Sequence, residues 1–269
     1  PTPQEFNEAI QSPRQCFEQE ELSNGTPALN GLGLPKPESG AFATVYQMHC
    51  ADGDVAVKCF LQESAGLAQR YAQISSYLQD NPISSCVNFL YIAEGIKVNG
   101  NRFPIVTMEW LNGVSFLSYI EHNLNDADTL LGLLNRFRCL TAELRNAGIA
   151  HGDLQHGNII VVNGELKLVD YDGMFVPPLK GMSSNELGHP NYQHPLRTAH
   201  HFGPYLDEFS TRVIETSLIA LAHDQTLWAK LNGGDECLLF RRADFLNPAS
   251  SPVFGLLLNY GCSEIRESA

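Results

Sequence analysis

The sequence predicts an α+β chain in which a small antiparallel sheet carrying one helix precedes a larger, helix-rich part. Three observations predict it. Asp52-Gly53 and Asn99-Gly100 each sit between β-branched runs, the signature of tight hairpins. Apolar residues recur at helical spacing over 64–79, 126–148 and 202–222. A third turn pair, Asn163-Gly164, separates "NIIVV" from "ELKLVD" and sets one more hairpin between the later helices. With 269 residues, 43% of them hydrophobic, the chain is long enough for one large domain or two joined lobes.

Taken in order, residues 1–36 are polar and rich in Pro, Asn and Gly, and they are expected to form an N-terminal extension packing on the fold. Residues 37–112 form the sheet part. In it "AFATVYQMHC" and "DVAVKCF" pair about Asp52-Gly53. The 64–79 helix follows, with Leu67, Tyr71, Ile74 and Leu78 on one face and Asn81-Pro82 as its stop, and two strands then flank Asn99-Gly100. Residues 113–269 form the helical part. Its 126–148 helix turns Leu130, Leu131, Leu134, Phe137, Leu140 and Leu144 inward, with Asp126 or Asp128 as N-cap and Gly148 as terminator. The 202–222 segment is too apolar for a surface helix and is expected at the centre of this part.

Lys plus Arg number 17 against 30 Asp plus Glu, a formal charge of −13, which argues against nucleic acid or an anionic membrane surface as partner. An anionic ligand therefore needs a local site. Seven cysteines without CxxC spacing argue against a disulfide framework or a zinc site and fit a reducing cytoplasm. His189, His194, His200 and His201 form the one histidine-rich stretch, and a metal cluster there is not expected. No apolar run is long enough to span a bilayer, and the chain is expected to be cytoplasmic. Pro1 fits either removal of an initiator Met or a boundary inside a longer protein.

The motifs narrow the chemistry. "VAVK" ends at Lys58, "HGDLQHGN" runs from His151 to Asn158, and "DYD" from Asp170 to Asp172, in the order in which kinases place a phosphate-pairing lysine, a base with a metal ligand, and a second metal ligand. Over roughly residues 34–223 the chain resembles the protein-kinase-like superfamily, and within it an atypical bacterial type of eukaryotic-like Ser/Thr kinase. "TMEWLNG" (107–113) is similar to the last small-lobe strand and hinge, "GHPNYQHP" (188–195) to the end of an activation segment, and "DEFSTRVI" (207–214) to the start of the central helix.

The resemblance implies a two-lobed fold, reduced at its C-terminal end, and a phosphotransferase using ATP with Mg²⁺ or Mn²⁺ on a protein Ser or Thr hydroxyl. Asp153 would take or orient the hydroxyl proton, and Lys58 would pair the phosphates. Asn158 and Asp170 would supply hard oxygen ligands to the metal. Gly40, Ala41, Phe42, Val45, Ala56, Lys58, Met108, Glu109, Leu111 and Ile160 would surround the nucleotide, His151 would brace the loop, and Asp207 would hold it from behind. Asp172 is either a third carboxylate near the metal or a solvated turn residue.

The departures define two rivals. "ESGAFATVY" keeps only Gly40 of three loop glycines, and the 64–79 helix has no central glutamate for Lys58, with Gln69, Gln73 and Glu63 as the nearest polar groups. These favour a pseudokinase acting as a nucleotide-binding or scaffold module. The H-G-D form is also similar to small-molecule kinases of the aminoglycoside and choline type. Gly152 replaces the arginine of regulated kinases, which leaves no expected receiver for phosphate on Ser183, Ser184 or Thr198.

Overall fold

The computed structural model of the chain describes residues 1–269 except Ala41, Phe42, residues 63–65, Cys262 and Ala269, and it excludes the side chains of Ser39, Glu264 and Ser268. The fold is mixed α+β, with antiparallel sheets and eleven α-helices among the described residues. The chain divides into two compact units, residues 1–76 with 87–111 and residues 77–86 with 112–269.

The first unit begins with three helices that the composition did not announce: α1 (Pro3–Ile10), α2 (Pro13–Cys16) and α3 (Glu20–Asn24). A capping box starts α1, in which the Glu5 N–H donates to Thr2 Oγ1 (3.3 Å) and the Thr2 N–H to Glu5 Oε2 (2.8 Å). The strands are β1 (Thr26–Pro27), β2 (Pro37–Ser39), β3 (Ala43–Cys50) and β4 (Gly53–Phe60). Helix α4 (Leu67–Asp80) follows, and then β5 (Phe89–Val98) and β6 (Asn101–Glu109). They form one antiparallel sheet in the order β1-β3-β4-β6-β5, with β2 also on β3.

Each face of this sheet has its own cover. Phe6, Ile10, Cys16, Phe17 and Leu22 from the N-terminal helices pack on Tyr46, Met48, Val57, Cys59, Ile96, Val98 and Ile105. The N-terminal 36 residues thus supply core as well as surface. Each fully buried aromatic or aliphatic chain stabilises by about 1.5–3 kcal/mol, so these helices are integral to the unit. On the other face Leu67 and Tyr71 of α4 pack on Phe60, Val106, Phe89, Tyr91 and Met108. Arg70, buried beside Leu67, Tyr71 and Ile74, occupies a place on α4 that the apolar pattern did not mark.

Two of the three hairpins turn where expected. Asn99 (φ 49°) and Gly100 (φ 85°), and likewise Asn163 (φ 51°) and Gly164 (φ 86°), supply the paired positive φ angles of a type I′ turn. The third turns one residue earlier than expected. Cys50 pairs with Gly53, so Ala51 and Asp52 span the turn and Gly53 opens β4.

The second unit holds β7 (Val114–Ser115), α5 (Phe116–His122), α6 (Ala127–Asn146), β8 (Ile159–Val162), β9 (Glu165–Leu168) and α7 (Glu208–His223). The short helices α8 (Thr226–Lys230), α9 (Arg242–Leu246), α10 (Pro252–Leu258) and α11 (Ser263–Ser268) complete it. Asp126 caps α6, accepting from the Thr129 N–H at 3.0 Å. The helix closes as a Schellman motif, with the Ile149 N–H on the Leu144 carbonyl (2.9 Å) and the Gly148 N–H on Arg145 (3.0 Å). Leu133, not Leu131, is buried: the inward face runs 130, 133, 134, 137, 140, 141, 144, and Leu131 lies a further 100° round the helix, 36% exposed. Helix α7 starts at Glu208 rather than 202, because Pro204 disfavours helical backbone at Gly203 and the next residues make separate turns. Ten of its sixteen residues are buried, which makes it the central helix of this unit.

Candidate functional site

In the first unit, β-register decides which candidate residues share a surface. Val45 pairs with Lys58, Lys58 with Val106, and Ala56 with Met108. Directly paired residues point to the same side of a sheet, so Val45, Ala56, Lys58 and Met108 lie on the face covered by α4, opposite the N-terminal helices. Lys58 is 6% exposed, its Nζ 5.5 Å from the Phe60 ring centre. Glu109 closes the ladder opposite Val55, and Leu111 is half-buried just past the strand.

The Gly40 N–H donates to the Ala43 carbonyl (2.9 Å), so it serves the β2–β3 hairpin; Ala41 and Phe42, assigned to phosphate cover, lie outside the described residues, as does Glu63. On α4, Gln69 is exposed, Gln73 is half-buried, and the buried polar group is Arg70, whose pKa burial lowers.

In the second unit the chemistry gathers round the β8–β9 hairpin. Asn158 immediately precedes β8, and the Val169 N–H donates to its carbonyl (3.0 Å), which continues the ladder up to Asp170. Asn158 Nδ2 donates to the Asp153 backbone carbonyl (2.9 Å) and to Asp153 Oδ2 (3.1 Å). The other carboxylate oxygen, Oδ1, accepts the His189 N–H at 2.6 Å. Asp153 is thereby fixed by groups 5 and 36 residues further along the chain. Asp170 is a non-glycine residue at φ 66°, a left-handed conformation that costs about 1 kcal/mol or more and persists where the surroundings impose it. Ile160 sits on β8 opposite Lys167. Asp172 stands inside a turn closed by the Met174 N–H on the Tyr171 carbonyl (3.0 Å) and is half-buried.

The loop has its own frame. His151, fully buried, donates from Nε2 to the Val169 carbonyl (2.9 Å), tying the loop to the residue before Asp170. The His151 and Gly152 N–H groups donate to the two oxygens of Asp207 at 2.5 and 2.8 Å. Asp207 stands at the N-cap of α7, yet it spends its carboxylate on the loop and not on its own helix. Burial pushes that carboxyl above the usual aspartate range, opposed by His151, the two amides and Arg197. Gly152 has φ 81°, and a Cβ there would lie 2.0 Å from the Gly173 carbonyl oxygen, so the loop excludes any other residue.

Three residues that local patterns do not mark complete the frame. His156 donates from Nε2 to the Asp235 carbonyl (2.9 Å), so its Nδ1 accepts from the Tyr192 hydroxyl (2.6 Å), which itself accepts the Leu238 N–H (3.0 Å). Burial lowers the His156 pKa and raises that of Tyr192, keeping both neutral. Arg197 donates to the Gly152 carbonyl (2.6 Å), to Gln193, and to Ser184 Oγ (3.4 Å). An arginine therefore does stand beside Ser184, contrary to the expectation drawn from Gly152. The bonds of His156 and Tyr192, and that of Arg197 to Gly152, join residues 36 to 79 positions apart, beyond the reach of periodicity or spacing.

Among the described residues no group of three or more His, Cys, Asp or Glu is placed to hold a metal ion. A divalent ion on Asn158 and Asp170 needs only two protein oxygens, the rest coming from phosphate and water. The donor set fits: both Asn158 Nδ2 bonds go to Asp153, which leaves Oδ1 as the acceptor on its other side. No helix among the described residues is long and apolar enough to cross a membrane. No protein-family model matches the chain, and no curated protein is significantly similar to it in sequence.

Proposed function

We propose that the chain is a protein-kinase-like phosphotransferase of two-lobed fold, moving the γ-phosphoryl of ATP to a protein Ser or Thr hydroxyl. The observation that carries the reading is the Asp153 carboxylate, oriented by the Asn158 amide and the His189 N–H at the mouth of a hairpin whose two ends present Asn158 and a strained Asp170. The acceptor oxygen forms a bond to the γ-phosphorus as the bond to the β,γ-bridging oxygen breaks. ADP leaves, and the hydroxyl proton passes to Asp153 Oδ. Asn158 and Asp170 would hold Mg²⁺, which when bound neutralises charge on the phosphates. Lys58, on the same sheet face as Val45, Ala56 and Met108, would pair with a nucleotide phosphate.

The test is transfer from radiolabelled ATP with Mg²⁺ or Mn²⁺, read also by intact mass. Asp153→Ala and Lys58→Met are each expected to lower the signal by about 10³-fold, the scale of removing a positioned base or phosphate clamp. A signal unchanged in both variants refutes the assignment.

A second reading, a nucleotide-binding or scaffold module without transfer activity, draws on two observations: Arg70 in place of a carboxylate on the buried face of α4, and the Gly40 amide engaged by Ala43. Nucleotide-dependent thermal stabilisation with no transfer by the wild type would favour it.

A further inference from the structure

Asp207 and Arg197 grip the residue before Asp153 from opposite ends. The Gly152 N–H goes to Asp207, and the Gly152 carbonyl, part of the peptide that leads into Asp153, accepts from Arg197 at 2.6 Å. The same guanidinium nitrogen reaches Gln193 Oε1, and the second terminal nitrogen reaches Ser184 Oγ at 3.4 Å. Gln193 is 5% exposed, and its Nε2 has no hydrogen-bond partner among the described residues; it is held against Gly188. A Cβ on Gly188 would meet Asp153 Oδ1 at 2.7 Å, Gln193 Nε2 at 2.8 Å and the Gly152 carbonyl at 3.0 Å, so these three groups close round one α-carbon. The next N–H in the chain, that of His189, is the one that donates to Asp153 Oδ1. Two routes therefore run from Arg197 to one carboxylate, through the Gly152 carbonyl and through Gln193 and Gly188.

We propose that Arg197 is a positioning residue for Asp153, setting the orientation of its carboxylate through the Gly152 peptide and the Gln193–Gly188 contact without touching a reactant. This rests on the reading of Asp153 as the proton acceptor. A planar guanidinium suits the task because it holds three acceptors in fixed directions, whereas an ammonium on the same stem satisfies them one at a time. Burial lowers its pKa, and the negative charges of Asp207, Asp153 and Glu186 offset part of that loss of hydration.

The test uses the full chain with Arg197→Ala and Arg197→Lys, and it reads kcat and KM for ATP together with exchange of the His189 amide hydrogen. Displacing the base lowers kcat by on the order of 10²-fold in Arg197→Ala while KM for ATP stays within about twofold, and Arg197→Lys recovers part of the loss. The His189 amide exchanges faster in Arg197→Ala, with the Ile160 and Lys167 amides, a bonded pair of the β8–β9 hairpin, protected as in the wild type. A kcat within about threefold of wild type, or hairpin amides that lose protection together with His189, overturns the proposal. Should Arg197→Ala not fold, Arg197→Lys decides: wild-type kcat with wild-type His189 exchange overturns it. Should the wild type transfer no phosphate, the kinase reading fails, and His189 exchange in the variants alone judges the positioning role, unchanged exchange refuting it.

Discussion

Gly152 shows how one position can be closed to every side chain. At φ 81° the backbone disfavours a Cβ, and the Gly173 carbonyl stands 2.0 Å from where that atom would be. Gly152→Ala is therefore expected to destabilise by about 2 kcal/mol or more, because the loop must move against buried His151 or Gly173 must shift. Urea denaturation would measure this, and a change under about 0.5 kcal/mol would show that the loop relaxes freely. Asp224 makes a case governed by pH. Its Oδ1 accepts the Thr226 N–H (2.9 Å) and hydroxyl (2.5 Å), its Oδ2 accepts the Tyr260 hydroxyl (2.8 Å), and Lys230 lies 3.6 Å away. The Thr226 hydroxyl first, with Tyr260, the Thr226 amide and Lys230, holds the carboxyl below the usual aspartate range. A folded pKa below the unfolded one gives stability that is complete above the ordinary aspartate value and is lost as pH falls through the folded value. Asp224→Asn, which turns an NH₂ toward one of these donors, should cost about 1 kcal/mol at pH 7. That difference should shrink in acid; a gap that stayed constant down to acid unfolding would remove the ionised carboxylate from the explanation.

At the level of elements, the N-terminal helices carry more of the first unit than their composition suggests. Phe6 and Ile10 are fully buried and Asn99 Nδ2 donates to Glu5 Oε1 (2.8 Å), so α1 is tied to the β5–β6 turn as well as to the core; Arg102 of β6 pairs with Glu18, between α2 and α3. Phe6→Ala is expected to cost about 3–5 kcal/mol, against well under 1 kcal/mol for the exposed Leu32→Ala. Equal effects of the two in thermal melts would mean that α1 is peripheral. These helices were hard to read because each spans about two turns or fewer and buries only one or two residues, too few for periodicity to register. Helix α6 and the Asn-Gly hairpins were legible because cap, period and turn all lie within their own residues. The start of α7 was not legible in periodicity, which runs back to 202 through Pro204; only the likeness of "DEFSTRVI" to the start of a central helix marked Asp207. The same division runs through the candidate site. Asp153, Asn158 and Asp170 stand out because a short hairpin brings them together from nearby in sequence. Arg197 and His156 do not, because their partners come from distant loops whose arrangement only the packed chain reveals.

Over the whole molecule, the charge of −13 bears on stability more directly than on any one site. Of the 17 basic residues, Lys58 and Arg70 are buried and Arg197 is half-buried, so the surface holds fewer cations against its carboxylates than the composition implies. Five ion pairs among the described residues, His49–Asp54, Arg102–Glu18, Arg138–Glu215, His189–Glu236 and Lys230–Asp224, each have at least one partner that is a third or more exposed in its side chain, and each is worth little on its own. Unpaired carboxylates must then repel one another across the surface at neutral pH, and folding, which brings them closer, works against that repulsion. Salt shortens the reach of the repulsion from about 30 Å at 0.01 M to about 8 Å at 0.15 M. The melting temperature at pH 7 is therefore expected to rise with sodium chloride over that range. Near the isoelectric point, at about pH 5.0, net repulsion is gone and the same salt should leave the melting temperature nearly unchanged. A rise of equal size at both pH values would assign the effect to general exclusion of salt from the protein surface rather than to its acidic charge.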